Sequence, residues 1–336
     1  MKTVSEILQS TSDALFPAEL GEKLVTLESR SCEGNSALHI LVWRGDIAGV
    51  RALIEAGRPL SKATHSRGAL MANVCGHTVQ IDDIDMYYEE YGVGKPLVLL
   101  HGFGGCAQNW HPFTTELSKH YRLFVVDLRG HGFSTNPTNE FTHRQAARDV
   151  FRLLERLGVN HFSAMGMSSG GMSLLHMATS QPKRIDSMVL VSATSHFPNQ
   201  ARVIMRNVSF DTMPLEVQQM YRECAKRGDT QIRELIAQFN AFHDNYDDMN
   251  FSEHDLSSIT ARTLVVHGDR DRFFPVEIPV NIYRSLPNSE LWIVPGGDHV
   301  PIFDPRVPFV LTALRFLEGG QPAAISGLTS QSSGRP

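Results

Sequence analysis

One serine constrains this chain more than any other residue. Ser168 is the centre of Gly166-Met167-Ser168-Ser169-Gly170, which joins an apolar strand-like run, His161 to Met165, to a helix-like run, Met172 to Ala178. A side chain thrust out on a sharp strand-to-helix turn brings the backbone two positions before it close to the backbone two positions after it. Only glycine fits at both places. Such a turn exposes the hydroxyl, and the helix that follows aims its first N–H groups at any anion formed there.

A serine nucleophile needs a histidine base and an acid that orients the base. Two apolar runs downstream end in such residues. Thr263 to His267 leads into Gly268-Asp269-Arg270-Asp271, and Glu290 to Val294 leads into Pro295-Gly296-Gly297-Asp298-His299. Upstream, Pro96 to Leu100 leads into His101-Gly102-Phe103-Gly104-Gly105, a loop able to bring backbone N–H groups against a substrate. A rival pattern overlaps that loop. Gly102, Gly104 and Ala107, with Asp127 ending the next strand, resemble a dinucleotide fingerprint. That reading leaves the serine turn and the Asp271 and His299 turns unexplained. No G-x-x-x-x-G-K-[ST] loop and no H-E-x-x-H occurs, so neither cofactor nor metal is expected.

With these motifs in this order, residues from about Cys75 to Leu317 resemble an α/β-hydrolase of the esterase, lactonase and C–C hydrolase group. The matching segments are HGFGG (101–105), DLRGHGFS (127–134), GMSSGG (166–171), HGDRDRFFP (267–275) and GGDHVPIFDP (296–305). The resemblance implies Ser168 as nucleophile, Asp271 as acid and His299 as base. It also implies the backbone N–H groups of Phe103 and Ser169 as an oxyanion hole. Asp271 stands three residues after Gly268 in a G-x-x-D-x-x-x-P turn closed by Pro275. Ser169 is the alternative nucleophile, but it would put Met167 at the crowded position before the turn. Asp269 is the alternative acid. Asp298 reads as a solvated turn residue, and His101, His131 and Asp127 read as structural hydrogen-bonding groups.

The fold class expected is α/β: a mostly parallel central sheet with helices on both faces. His77 to Tyr91 alternates in the manner of antiparallel edge strands. Leu123 to Val126 and Met188 to Val191 read as further strands. Ala146, Val150, Leu153, Leu154 and Leu157 repeat at helical spacing before Gly158, and Arg306 to Leu317 reads as a final helix. The hydrolase domain spans about 71–318. Residues from about 196 to 260 break the alternation and read as a helical lid. Val217, Met220, Tyr221 and Cys224 form one amphipathic stripe, and Ile232, Leu235, Ile236 and Phe239 form another. Residues 1–70 resemble a single ankyrin repeat through Gly34-Asn35-Ser36-Ala37-Leu38-His39 and the later Val50, Leu53, Ile54 and Gly57. One repeat cannot bury its own face. This helical segment is therefore expected to dock on the hydrolase or to meet a second copy or a protein partner. Residues 319–336, rich in Gly, Ser, Gln and Pro, are expected to be disordered.

The net charge of −5 and the lack of a basic patch exclude nucleic acid as a partner. No apolar run approaches a membrane span, and the N-terminus has no signal-peptide core. The four cysteines show no C-x-x-C spacing and are expected to be reduced thiols in a cytoplasmic protein. The function expected is hydrolysis of a carboxylic ester or lactone of a small-to-medium apolar substrate through an acyl-enzyme. Two alternatives stay open: a C–C bond hydrolase of ring-cleavage products, and a ligand sensor or scaffold.

Overall fold

The computed structural model describes residues 75–319. The ankyrin-like segment (1–70) and the polar tail after Gly319 lie outside the described residues. Eight strands form one sheet: β1 (Cys75–Ile81), β2 (Ile84–Tyr91), β3 (Lys95–Leu100), β4 (Tyr121–Val126), β5 (Phe162–Met167), β6 (Ile185–Val191), β7 (Arg262–Gly268) and β8 (Ser289–Val294). Their spatial order is β1-β2-β4-β3-β5-β6-β7-β8. The alternating segment at 77–91 forms the β1–β2 hairpin at one edge, and β2 runs antiparallel to β4. The remaining neighbours are parallel.

Both faces of the sheet are buried, which is why its central strands are continuous apolar runs. On β3, Val98 and Leu100 enter one core while Leu97 and Leu99 enter the other. On β4, Phe124 and Val126 face the first core, and Leu123 and Val125 face the second. The first core is covered by α2 (His143–Arg156), α3 (Ser169–Ser180) and α8 (Glu277–Ser285), and the second by α1 (His111–Leu117) and α9 (Phe309–Leu317). Thr142 caps α2 by accepting the Gln145 N–H, and Gly158 follows its end at φ +69°.

Three expectations need correction. Helix α9 starts at Phe309 rather than Arg306, because Pro308 disfavours helical backbone at Val307 and stands as the cap. The insertion between β6 and β7 carries four helices rather than two: α4 (Asn199–Asn207), α5 (Leu215–Cys224), α6 (Asp229–Ala241) and α7 (Glu253–Ser257). Within α5, Tyr221 and Cys224 are buried, but Met220 points outward.

The third correction concerns the cysteines. Cys106, just after the 101–105 loop, is disulfide-bonded to Cys224 at the end of α5, with their Cα atoms 5.4 Å apart. The two are separated by 118 positions, so no local spacing announces the pair. Disulfides belong as a rule to oxidising compartments, so the thiol argument for a cytoplasmic location falls away. Among the described residues, no helix is long and apolar enough to cross a membrane.

Candidate active site

The carboxyl ends of β3, β5, β7 and β8 converge on one place. Ser168 follows β5 at φ +48° and ψ −114°, a backbone conformation that L-residues rarely adopt. Surrounding structure holds it there. The Ser168 N–H donates to the Val191 carbonyl at 2.8 Å, and its carbonyl accepts the Met172 N–H at 2.9 Å. The flanking glycines are needed for close approach. A Cβ on Gly166 would lie 2.5 Å from the Gly170 backbone, and one on Gly170 would lie 2.3 Å from the Leu100 carbonyl oxygen.

The His299 imidazole stands between Ser168 and Asp271. Its Nε2 is 2.9 Å from Ser168 Oγ, and its Nδ1 is 2.8 Å from Asp271 Oδ2. Because a carboxylate only accepts, Nδ1 carries the proton in the neutral ring and Nε2 is free to accept from the serine hydroxyl. The other oxygen of Asp271 accepts the Phe273 N–H at 2.7 Å and the Phe274 N–H at 3.1 Å. Burial pushes the Asp271 carboxyl up. The hydrogen bond and charge of His299, with help from His267 and the Phe273 N–H, outweigh that and hold it below the ordinary carboxylate value. Asp271 is thus an ionised, buried acceptor aimed at one imidazole nitrogen.

The competing residues are placed elsewhere. Asp269 is exposed and accepts the Gly296 N–H, and Asp298 is exposed. His101 is fully buried: its Nδ1 donates to the Gly102 carbonyl, and its Nε2 accepts the Leu128 N–H at 3.0 Å. His131 Nδ1 donates to the Arg129 carbonyl. Asp127 accepts the Ala107 and Phe133 N–H groups, fastening the 101–105 loop to the loop after β4. Each of its carboxylate oxygens is thereby engaged by a backbone N–H.

The 101–105 loop lies against the serine, since a Cβ on Gly102 would be 3.4 Å from Ser168 Cβ. Phe103 is the next residue. Ser169 opens α3, so its N–H has no partner within the helix. Both amides assigned to the oxyanion hole therefore belong to segments that border Ser168. Partly exposed phenylalanine rings lie beside these residues. Phe103 lies tilted against Phe239 of the lid at 5.5 Å between centroids, and Phe273 lies 4.7 Å from the His299 ring. Tyr221 of α5 covers Gly104 so closely that a Cβ there would strike its ring. An open cavity of about 330 Å³ lies between α2, α3 and the end of the lid, lined by Arg144, Arg148, His176 and Asp247, and the triad residues do not line it.

Two buried side chains beside the serine turn went unnoticed in the sequence. His143 opens α2, and Asp248 lies between α6 and α7 of the lid. His143 Nδ1 is 2.6 Å from Asp248 Oδ2, and its Nε2 is 3.0 Å from Ser169 Oγ. The partners lie 105 and 26 positions apart. Only the helix-start signal at Thr142-His143 was visible locally. Among the described residues, no three His, Cys, Asp or Glu side chains converge to hold a metal ion.

Comparison with known proteins bears on the fold. A family model described as alpha/beta hydrolase fold matches residues 95–234. A putative non-heme chloroperoxidase of Synechocystis sp. is 28% identical over 246 residues, covering 64% of this chain and 88% of that protein. A pimeloyl-(acyl-carrier protein) methyl ester esterase of Nitrosospira multiformis is 24% identical over 258 residues, covering 69% of this chain and 98% of that protein. Among solved structures, a meta-cleavage product hydrolase from Pseudomonas fluorescens superposes with a TM-score of 0.63 at 19% identity, over 73% of this chain and 98% of that one. With the sheet topology, these matches give the chain the α/β-hydrolase fold.

Proposed function

We propose that this α/β-hydrolase-fold protein is a serine hydrolase that cleaves a carboxylic ester or lactone of a small-to-medium apolar substrate through an acyl-enzyme. The observation that carries the reading is the continuous hydrogen-bonded chain Asp271–His299–Ser168, with both contacts under 3 Å. His299 takes the Ser168 proton at Nε2 as Oγ attacks the substrate carbonyl. Asp271 keeps the imidazole in the required tautomer and offsets the charge it gains. The tetrahedral oxyanion is met by the N–H groups of Phe103 and Ser169. His299 then gives its proton to the leaving alkoxide, and the C–O bond breaks. In the second half His299 draws a proton from water, hydroxide adds to the acyl carbonyl, and the acid leaves Ser168 with its proton restored.

An apolar substrate fits the Phe103, Phe239 and Phe273 rings, which offer flat hydrophobic surface on the approach to the serine. Relatives of similar identity include the methyl ester esterase at 24% and a 2-hydroxy-6-oxononadienedioate hydrolase of Burkholderia vietnamiensis at 25%, so the choice between ester and C–C bond rests on the measurement. The test is a panel of p-nitrophenyl esters of graded acyl length, run beside lactones and a ring-cleavage diketone. Turnover of esters or lactones that disappears in Ser168→Ala supports the reading. Turnover of the diketone alone contradicts it in favour of C–C hydrolysis.

A further inference from the structure

Ser168 and Ser169 are consecutive, and each faces its own histidine and its own aspartate. The second set is buried: His143 is fully enclosed, and Ser169 and Asp248 are nearly so. Asp248 is held from several sides. Its Oδ2 accepts both the His143 Nδ1–H and the His143 backbone N–H, and its Oδ1 accepts the Arg144 N–H. Its own N–H donates to Asn245 Oδ1, and its carbonyl accepts from His176 Nε2 at 2.7 Å. With Nδ1 bound as donor to the carboxylate, Nε2 of the neutral ring is an acceptor, and the Ser169 hydroxyl then donates to it. The Ser169 carbonyl is tied separately by Ser173 Oγ at 2.9 Å.

Ser169 has no access to substrate through this side chain, because Oγ points into the interior between α2 and α3. Its backbone N–H is another matter. That N–H belongs to the peptide joining Ser168 to Ser169, and the direction in which it points depends on the uncommon ψ of Ser168 and on the torsion of Ser169. The Met172 N–H restrains the carbonyl end of that peptide. The His143 contact restrains the Ser169 end. A strained peptide persists only where its surroundings over-determine it, and a buried polar chain costs desolvation that apolar packing avoids.

We propose that Asp248 and His143 form a positioning relay that holds Ser169 and thereby keeps its N–H aimed at the oxyanion. This rests on the reading of Ser168 as nucleophile. The relay also ties the oxyanion donor to the lid, because Asp248 lies in the segment between α6 and α7. His143 and Asp248 are positioning residues, since neither touches the reacting atoms.

The test uses the full chain in six forms: parent, Ser168→Ala, Ser169→Ala, His143→Phe, His143→Gln and the double variant that combines Ser169→Ala with His143→Phe. Two quantities are read: kcat and KM for p-nitrophenyl butyrate, and the second-order rate at which a fluorophosphonate labels Ser168. The labelling rate needs no knowledge of the natural substrate, and its phosphoryl oxygen occupies the same hole. Loss of a whole oxyanion donor costs about 10²–10³-fold in kcat, so loss of its alignment should cost less, about 10-fold. Ser169→Ala, the smallest change, is expected to lower kcat and the labelling rate by about that factor with KM within about twofold. His143→Phe should do the same, and its combination with Ser169→Ala should be no worse than the poorer single variant. His143→Gln, which keeps an acceptor for the Ser169 hydroxyl, should recover part of the loss. Parent-like labelling in Ser169→Ala, a change confined to KM, or additive losses would each overturn the relay. If Ser168→Ala keeps its activity and its label, the nucleophile assignment is what fails, and the Ser169→Ala result is not needed to see it.

Discussion

Asp269 and Asp271 stand two positions apart in one turn, and only Asp271 meets His299. The resemblance to the hydrolase family's G-x-x-D-x-x-x-P turn, from Gly268 to Pro275, favoured the residue three after the glycine and left Asp269 as the alternative. Asp271→Asn should reduce kcat severely, by about 10³–10⁴-fold, since an amide can present the wrong tautomer partner to Nδ1. Asp269→Asn should keep most activity, as it loses only an exposed contact to the Gly296 N–H. Steady-state kinetics of the two variants check this, and the reverse ranking would move the acid to Asp269. His101 belongs to the same scale. Burial lowers its pKa from 6.5 to about 4, against the weaker pull of the Gly102 carbonyl. The unfolded chain therefore takes this proton near pH 6.5 and the folded chain only near 4. The stability that His101 contributes is complete above pH 6.5 and is lost as pH falls toward 4, by about 3 kcal/mol in all. His176, also lowered to about 4 by burial, acts in the same direction. Thermal melts from pH 7 to 4 should fall less steeply in His101→Gln than in the parent. Parallel curves would contradict the assignment. The His143–Asp248 pair was not legible, because nothing near either residue marks the other as its partner.

At the scale of elements, the strands were the clearest part of the sequence. Each central strand buries both faces, so it reads as a short apolar run closed by glycine or a polar turn. The lid was harder. The stripes of α5 and α6 are regular enough to find, and Ile232, Leu235 and Ile236 are buried as their spacing implies. Helix α4 hides its period because its inward face includes Arg202, whose guanidinium donates to the carbonyls of Phe197, His243 and Asn245. Helix α7 is only five residues long and rests on the Ser252–Asp255 capping box rather than on an apolar stripe. The disulfide joins α5 to the end of the 101–105 loop, so it braces the lid against the candidate oxyanion hole. Breaking it by Cys224→Ser or by reductant should lower stability by about 2–4 kcal/mol, seen as a fall in melting temperature. Thiol titration of the denatured, unreduced chain should find at most two free thiols. Four would contradict the bond.

At the scale of the whole molecule, strand order decides where chemistry can occur. Parallel strands β3, β5, β7 and β8 all end on one side of the sheet, so turns widely separated in the sequence meet there. This is why a loop at 101–105, a turn at 166–170 and aspartate and histidine turns near 271 and 299 add up to a single site. The central claim is that Ser168 carries the acyl group between the two halves of the reaction. The most direct measurement is to mix the protein with p-nitrophenyl acetate, quench in acid within the first turnover, and map the adduct by peptide mass spectrometry. The account predicts one acetyl group per chain on Ser168, appearing together with a burst of p-nitrophenol and absent from Ser168→Ala. An adduct on another residue, or acetate released with no covalent intermediate and unaffected by Ser168→Ala, would contradict it.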